Sequence, residues 1–197
     1  MKLLLFGGTF DPPHLGHIHN LEAAIRAVNP DLVVVMPAGI PPHKAAAHTS
    51  GEIRLEMCRC FRECFPNLVV SRWELDQEGK SYSIHTLEHL AQEYPKAEIY
   101  MAVGSDMLLT FTQWHRWKEI LQRATLVCTS RQAGDDPQLI QAARALEGEG
   151  GRVILAPASA LEVSSTQIRQ GKARPNLLPP LVQELVEKYH LYQENFS

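Results

Sequence analysis

The sequence lacks an excess of charge of either sign. Its 19 lysines and arginines stand against 22 aspartates and glutamates, so the formal net charge is -3. Proteins that bind nucleic acid usually carry a clearly basic face, which this balance does not predict. We therefore expect no nucleic-acid partner, and any polyanionic ligand must meet a local cluster of basic residues.

The sequence also has little of what membrane proteins and zinc proteins require. The apolar run at residues 1–6 ends at a pair of glycines, and no other apolar stretch is long enough to cross a bilayer. We therefore expect a cytoplasmic protein without a membrane partner. The four cysteines show no C-x-x-C pair with distant histidines, so Cys58, Cys60 and Cys64 are predicted to be reduced thiols that pack as small hydrophobic groups.

What the sequence does contain is a regular alternation of strand-like and helix-like segments. The predicted strands are residues 2–6, 32–37, 68–73, 97–103, 124–129 and 153–156. This order predicts an α/β fold with a doubly wound, mostly parallel sheet, formed as a single domain by residues 1–197. In such a sheet, ligands bind beyond the carboxyl ends of the strands.

Helical periodicity separates these strands. In one helix, over residues 53–64, apolar residues recur at helical spacing, and Thr49 with Glu52 predicts a capping box at its start. A C-terminal helical segment follows two prolines, and its predicted apolar face consists of Leu181, Leu185, Val186 and Tyr189. The stretch 135–151 suggests no function.

The loop after the first strand has the sequence GGTFDPPHLGH, residues 7–17. Its glycines let the backbone approach a ligand, and Asp11 followed by two prolines predicts a helix start. A helix N-terminus stabilises a bound phosphate. His14 and His17 lie on one face of that first turn, and Gly16 between them is expected to leave room for a ligand. The alternative is a plain turn with two incidental histidines, but the spacing matches neither a P-loop nor a dinucleotide-binding motif.

A second polar segment, VSSTQIR, occupies residues 163–169. Ser164 or Ser165 can cap a short helix, Thr166 adds a hydroxyl group, and Arg169 brings a planar charge one turn later. Taken alone, the segment is also typical of an ordinary capped surface helix. Together with the first loop it predicts a triphosphate site.

The two segments resemble the signatures of the H-x-G-H nucleotidyltransferases, whose second signature is usually I-S-S-T-x-I-R. The resemblance implies a Rossmann-like nucleotidyltransferase fold. It also implies catalytic roles for His14, His17, Lys44 and Arg169. The implied ATP-binding residues are Gly7, Gly8, Thr9, Phe10, His14, His17, Ser164, Ser165, Thr166 and Arg169.

Within that group, three further features are similar to bacterial nicotinate-nucleotide adenylyltransferases. They are the PPHK sequence at residues 41–44, the SYS sequence at 81–83 with Thr86, and the GSD sequence at 104–106 followed by Trp114. The resemblance implies transfer of the adenylyl group of ATP to nicotinate mononucleotide, which yields deamido-NAD and pyrophosphate in NAD biosynthesis. The implied acceptor-binding residues are Lys44, Ser83, Thr86, Asp106 and Trp114.

Mg²⁺ is the implied cofactor, bound mainly through the ATP phosphates and without a protein ligand. Other interpretations remain open at this point. The alternative acceptors are nicotinamide mononucleotide, phosphopantetheine and a cytidylyl acceptor, and a different alternative is a nucleotide-binding module without turnover. The alternative for Trp114 and Trp117 is a role in the core alone, and the oligomeric state is not predicted.

Overall fold

Six parallel strands form the centre of the molecule in the computed structural model, which describes residues 1–40, 47–130, 136–158, 161, 163–172 and 176–192. The strands are β1 (Lys2–Gly8), β2 (Leu32–Pro37), β3 (Leu68–Val70), β4 (Glu98–Gly104), β5 (Ala124–Ser130) and β6 (Val153–Pro157). Their order in the sheet is β3-β2-β1-β4-β5-β6, and each adjacent pair is parallel. The predicted parallel α/β fold is confirmed. The order reverses direction between β1 and β4, which opens a crevice at that edge.

Helices cover both faces of the sheet. They are α1 (Leu15–Val28), α2 (Gly51–Met57), α3 (Ser83–Glu93), α4 (Ser105–Leu109), α5 (Trp117–Arg123), α6 (Pro137–Gly148), α7 (Ser165–Arg169) and α8 (Pro180–Lys188). Short 3₁₀ helices span Cys58–Cys64, Trp73–Asp76 and Phe111–Gln113. In the described part of the chain, no helix has the length and apolar character needed to cross a membrane.

The core is split by the sheet, because successive side chains of a strand point to opposite faces. Leu3 and Leu5 of β1 pack in the layer that contains the buried residues of α3, α5 and α6. Leu4 and Phe6 pack on the other side, with the buried residues of α1, α2 and α8. This double burial explains why the strands are almost continuously apolar.

Several predicted element boundaries differ from the structure, most clearly at β3 and in the helix that precedes it. Strand β3 ends at Val70 rather than at residue 73, because the chain turns into the 3₁₀ helix Trp73–Asp76. The helix predicted over 53–64 is an α-helix only to Met57 and a 3₁₀ helix beyond it. Its N-cap is Ser50, whose hydroxyl accepts the N–H of Ile53 at 3.4 Å, whereas the hydroxyl of Thr49 bonds to the C-terminal tail.

The C-terminal helix α8 docks on the sheet face formed with α1 and α2. Val182 and Leu185 are buried there, and Leu181 and Val186 pack against the same cluster. Tyr189 was predicted on this apolar face, but it is 39% exposed because α8 has already ended at Lys188. The four cysteines are free thiols, as expected, and three of them are buried.

Candidate active site

A cleft of about 940 Å³ opens at the carboxyl ends of β1 and β4, where the strand order reverses. Its lining includes every predicted site residue that the structure describes: Gly7, Gly8, Thr9, Phe10, His14, His17, Ser83, Thr86, Asp106, Trp114, Ser164, Ser165, Thr166 and Arg169. Residues from both ends of the chain therefore meet in one place. Lys44 lies outside the described residues, so its role stays a prediction.

The helix start in the first loop differs from the prediction. Helix α1 begins at Leu15 and its N-cap is His14, whereas Asp11 and the two prolines precede the helix. The side chain of His14 accepts the N–H of His17 at 3.3 Å, and the side chain of His17 accepts the N–H of His14 at 3.2 Å. The two histidines thus form a reciprocal capping box, in the places where serine and glutamate are more usual.

This capping arrangement sets the chemistry of both imidazoles. In each ring Nδ1 is the acceptor of the capping hydrogen bond, so the proton of the neutral ring lies on Nε2. Burial lowers the pKa of His14 to about 4, which keeps that ring neutral at physiological pH. The rings stack with centroids 3.7 Å apart. His14 therefore presents a neutral N–H donor beside the helix N-terminus, where a phosphate is stabilised.

Side chains of Val163 and His14 pack closely against Gly16. A Cβ at this position would lie 2.9 Å from Cγ1 of Val163 and 3.0 Å from Nδ1 of His14. The glycine therefore permits close contact between the two signature segments. It also lines the cleft, and its role in leaving room for a ligand stays a prediction. Phe10 is 1% exposed and its ring packs on Phe6 and Phe61, so the ring belongs to the core beneath the cleft.

The second signature segment is bonded directly to the first. The Ser165 hydroxyl donates to the carbonyl oxygen of Pro12 at 2.9 Å, and Nη1 of Arg169 donates to the carbonyl oxygen of Asp11 at 2.6 Å. Arg169 also donates to the Thr166 hydroxyl at 3.3 Å. These bonds fix the direction of the guanidinium group relative to the first loop.

Ser164 caps helix α7, which confirms one of the two predicted alternatives. Its hydroxyl accepts the N–H of Gln167 at 3.2 Å, and Oε1 of Gln167 accepts the N–H of Ser164 at 2.9 Å. Gln167 occupies the variable position of the signature and was not predicted to matter. Its contribution is the second half of a capping box.

Ser83 and Thr86 of helix α3 also line the cleft, where Ser83 begins the helix and Thr86 is buried one turn later. The Thr86 hydroxyl donates to Oε1 of Glu74 at 2.6 Å, so this hydroxyl already has a partner within the protein. Burial raises the pKa of Glu74, although hydrogen bonds from Thr86, Ser81 and Gly39 oppose that effect. Sequence reasoning missed Glu74. Its position shortly after β3, at the ligand-binding edge of the sheet, was the available signal.

Trp114 both lines the cleft and packs against the core, the two roles that the sequence left open. Its ring packs on Phe111 with centroids 5.1 Å apart. The turn after it is held by Arg116, which pairs with Glu88 of α3 at 2.9 Å and with Glu119 at 2.6 Å. Asp106 lies in the first turn of α4, lines the cleft and is exposed.

Arg54 is a further residue that sequence reasoning missed. It is 3% exposed, and its guanidinium group donates to three backbone carbonyls around the cleft. Nη1 reaches Thr9 at 2.8 Å and Ala38 at 2.7 Å, and Nε reaches Thr49 at 3.2 Å. Nothing in the local sequence distinguishes this arginine from a solvated helical one. Its role arises because three separate segments converge on it.

The acidic groups of the site do not form a metal cage. Within the described residues, no three His, Cys, Asp or Glu side chains are grouped so that they could hold a metal ion. The Asp11 carboxylate accepts hydrogen bonds from the N–H of His48 and the hydroxyl of Tyr192, each at 2.7 Å. Both carboxylate oxygens are therefore already bonded within the protein.

Comparisons with known proteins agree with this geometry. Residues 5–171 match the family model described as "Cytidylyltransferase-like". A protein of Shewanella pealeana is 34% identical over 100% of this chain and 98% of its own length, and one of Exiguobacterium sibiricum is 36% identical over 98% and 99%. Both are named "Probable nicotinate-nucleotide adenylyltransferase".

The fold is also similar to that of solved structures. A Plasmodium falciparum structure, described as a nicotinic acid mononucleotide adenylyltransferase complexed with NaAD, has a TM-score of 0.76 and 15% sequence identity. It covers 100% of this chain and 99% of its own, and at that identity the likeness shows the fold alone. Family membership rests instead on the match to the family model and on the full-length identity to the two bacterial relatives. The chain belongs to the cytidylyltransferase-like family and, within it, to the nicotinate-nucleotide adenylyltransferases.

Proposed function

We propose that this chain transfers the adenylyl group of ATP to nicotinate mononucleotide, forming deamido-NAD and pyrophosphate, as a step of NAD biosynthesis. The observation that carries the proposal is the junction of the two signature segments. The hydrogen bonds of Ser165 to Pro12 and of Arg169 to Asp11 place a histidine pair, a helix N-terminus and a guanidinium group around one cleft. These are the groups that a triphosphate requires.

The reaction needs alignment rather than an activated nucleophile. An oxygen of the acceptor phosphate attacks the α-phosphorus of ATP, a new phosphoanhydride bond forms, and the bond from the α-phosphorus to the bridging oxygen breaks. Pyrophosphate leaves with that electron pair. A phosphate monoester has a second pKa of about 6 and is largely dianionic at neutral pH, so no general base is required. Catalysis then rests on positioning and on stabilisation of the developing negative charge.

We assign this stabilisation to the residues around the first loop. The Nε2–H groups of His14 and His17 donate to phosphate oxygens of ATP, and the neutral state of His14 makes it a hydrogen-bond donor rather than a cation. Arg169 holds the leaving pyrophosphate, with its orientation supported by the bond to Asp11. Lys44 supplies a further positive charge in this proposal, on the strength of the family resemblance.

The acceptor is assigned to the side of the cleft formed by α3, α4 and Trp114. An aromatic face at Trp114 suits the positively charged pyridine ring. Ser83 and Asp106 line the same region and offer a hydroxyl group and a carboxylate for hydrogen bonds to the ribose or the ring edge. Thr86 contributes indirectly, because its hydroxyl group is bonded to Glu74.

Mg²⁺ enters this proposal as part of the MgATP substrate. The described residues offer no cage of three acidic or imidazole ligands, and the oxygens of Asp11 are occupied by protein donors. Mg²⁺ retains several waters and is commonly bound through substrate phosphates. The protein's contribution is then to orient the phosphates that carry the ion. The cytoplasmic location expected from the sequence stays a prediction.

The test is an acceptor panel with pyrophosphate release as the readout. Nicotinate mononucleotide, nicotinamide mononucleotide and phosphopantetheine are each offered with ATP and, separately, with CTP. We expect the highest kcat/KM for ATP with nicotinate mononucleotide. A higher value for phosphopantetheine or for CTP would assign the chain to a sibling reaction. Binding of ATP without turnover on any acceptor would favour a nucleotide-binding module.

A further inference from the structure

The C-terminal tail reaches the first signature loop through one phenol. Helix α8 ends at Lys188, and the chain then turns through His190 and Tyr192, whose φ angles of 50° and 63° are left-handed. The Tyr192 hydroxyl lies 2.7 Å from Oδ1 of Asp11 and 2.9 Å from the Thr49 hydroxyl. Left-handed backbone is unfavourable for residues other than glycine, so these turns are retained by contacts that the tail makes.

Asp11 is the point at which several segments of the site converge. Its carboxylate is 1% exposed and accepts hydrogen bonds from the Tyr192 hydroxyl and from the N–H groups of His48 and Thr49. Its backbone carbonyl accepts the hydrogen bond of Arg169. A shift of Asp11 therefore moves the partner that orients Arg169.

The protonation states of Tyr192 and Asp11 favour the hydrogen bond between them. Burial, together with the neighbouring Asp11, raises the pKa of Tyr192, which keeps the phenol protonated and able to donate. Burial by itself would raise the pKa of Asp11, but the hydrogen bonds from Thr49, Tyr192 and His48 outweigh it and hold the pKa below its usual value. The bond therefore joins a neutral donor to an anionic acceptor, which makes it stronger than a bond between neutral groups.

We propose that Tyr192 is a positioning residue of the active site, which holds Asp11 so that the first loop and Arg169 adopt the geometry that binds ATP. Tyr192 is not among the residues that line the cleft, so its effect passes through Asp11. The inference rests on the proposed function, since it takes the first loop to be the ATP-binding loop. It makes the C-terminal tail a part of the nucleotide site rather than only a cover for the core.

Loss of the Tyr192 hydroxyl should weaken the binding of ATP but not that of the acceptor. After loss of the phenol hydroxyl, Oδ1 of Asp11 loses the hydrogen bond from Tyr192, but Oδ2 keeps two backbone N–H donors, so the buried carboxylate retains partners and the fold should persist. The position of the loop, however, loses one of its restraints. ATP affinity should therefore fall by about tenfold, within the range for one hydrogen bond to a charged group. The acceptor KM should stay within about twofold of wild type, because the hydrogen bonds of Tyr192 run to Asp11 and Thr49 rather than to the residues assigned to the acceptor.

The experiment compares Tyr192→Phe with Tyr189→Phe. Tyr189 is on the same tail, and its ring contacts Lys188 rather than the loop, so its variant controls for loss of a tail hydroxyl group. The Kd for ATP is measured by calorimetry without acceptor, together with the acceptor KM and the melting temperature. A weaker ATP Kd for Tyr192→Phe only is expected. An unchanged Kd, or an equal loss in both variants, would overturn the inference.

A double-mutant cycle tests the route through Asp11. If Tyr192 acts through this carboxylate, Tyr192→Phe combined with Asp11→Ala should bind ATP about as weakly as Asp11→Ala alone, because alanine removes the acceptor of the phenol hydroxyl. Losses that add would show that Tyr192 acts by another route and would overturn the inference. Because the Kd requires no turnover, a failure of the proposed reaction would appear separately, as a wild-type protein that binds ATP but does not adenylate nicotinate mononucleotide.

Discussion

His14 and His17 cap the same end of helix α1 for each other. Each ring accepts the backbone N–H of the other residue through Nδ1, at 3.3 Å and 3.2 Å, and the rings are stacked. The two histidines therefore have a structural task and a chemical task at once. Nδ1 stabilises the helix start, and Nε2 carries the proton that a phosphate oxygen can accept.

We predict that His17→Ala lowers kcat by about a hundredfold or more. The physical reason is the loss of one donor to the charge that develops on the phosphates, and a loss of this size is typical for such donors. Steady-state kinetics at saturating ATP measure the effect. The helix should also lose part of its cap, with a small fall in melting temperature.

His17→Gln separates the two tasks of this residue. A glutamine at the third helical position can accept the N–H of the N-cap residue, so the cap is retained while the imidazole is lost. We expect a melting temperature close to that of wild type and a kcat as low as that of His17→Ala. Near wild-type turnover in either variant would contradict the catalytic role of His17.

The buried state of His14 predicts a specific dependence of stability on pH. Its pKa is lowered from 6.5 to about 4 in the folded protein. Between these values the unfolded chain takes up a proton that the folded protein does not, so the free energy of unfolding falls as pH decreases from 6.5 toward 4. The contribution of this one group is at most about 3 kcal/mol.

Urea unfolding at pH 7.0 and pH 4.5 measures this contribution, with His14→Asn as the control. Asparagine keeps a side-chain acceptor at the N-cap but does not titrate. The difference in unfolding free energy between the two pH values should be smaller in the variant. An equal difference in both proteins would show that His14 is protonated in the folded state as readily as in the unfolded chain.

Arg169→Lys should weaken binding of ATP and pyrophosphate by roughly tenfold to a hundredfold. Lysine keeps the charge but cannot donate to the Asp11 carbonyl and the Thr166 hydroxyl in the planar arrangement of a guanidinium group. Forward and reverse steady-state kinetics provide the measurement. If ATP parameters were unchanged while the acceptor KM rose, the residue would belong to the acceptor site instead.

Trp114→Ala should raise the acceptor KM more than the ATP KM. Loss of a cation–π contact is worth about 0.5 to 2 kcal/mol, and Trp114→Phe should give an intermediate value because its ring has a weaker quadrupole. Trp117→Phe is a matched control, since Trp117 packs against the core and is not among the residues that line the cleft. A role in packing alone predicts instead a loss of about 3 to 5 kcal/mol of stability for Trp114→Ala with both KM values shifted together.

The parallel α/β fold and most members of the site could be predicted from local patterns. Buried parallel strands are apolar almost throughout, so β2 (Leu32–Pro37) was predicted with its observed limits. The carboxyl ends of the strands then located the site before any contact was known. The two signature segments reach the same cleft because the sheet places one beside the other.

Other features depend on contacts between residues that are distant in sequence. The close approach of Gly16 to Val163 was not predicted, and Thr49 was assigned to a helix cap rather than to Tyr192, because each of these pairs is separated by more than 140 positions in the chain. Arg54 and Glu74 have ordinary local sequences, and only their burial among converging loops gives them partners. A buried polar group must be hydrogen-bonded, but the chain segment that supplies its partner is decided by tertiary packing. The sequence by itself therefore determined the fold class and the chemical types of the site residues, whereas the hydrogen bonds that orient them were decided only by the tertiary structure.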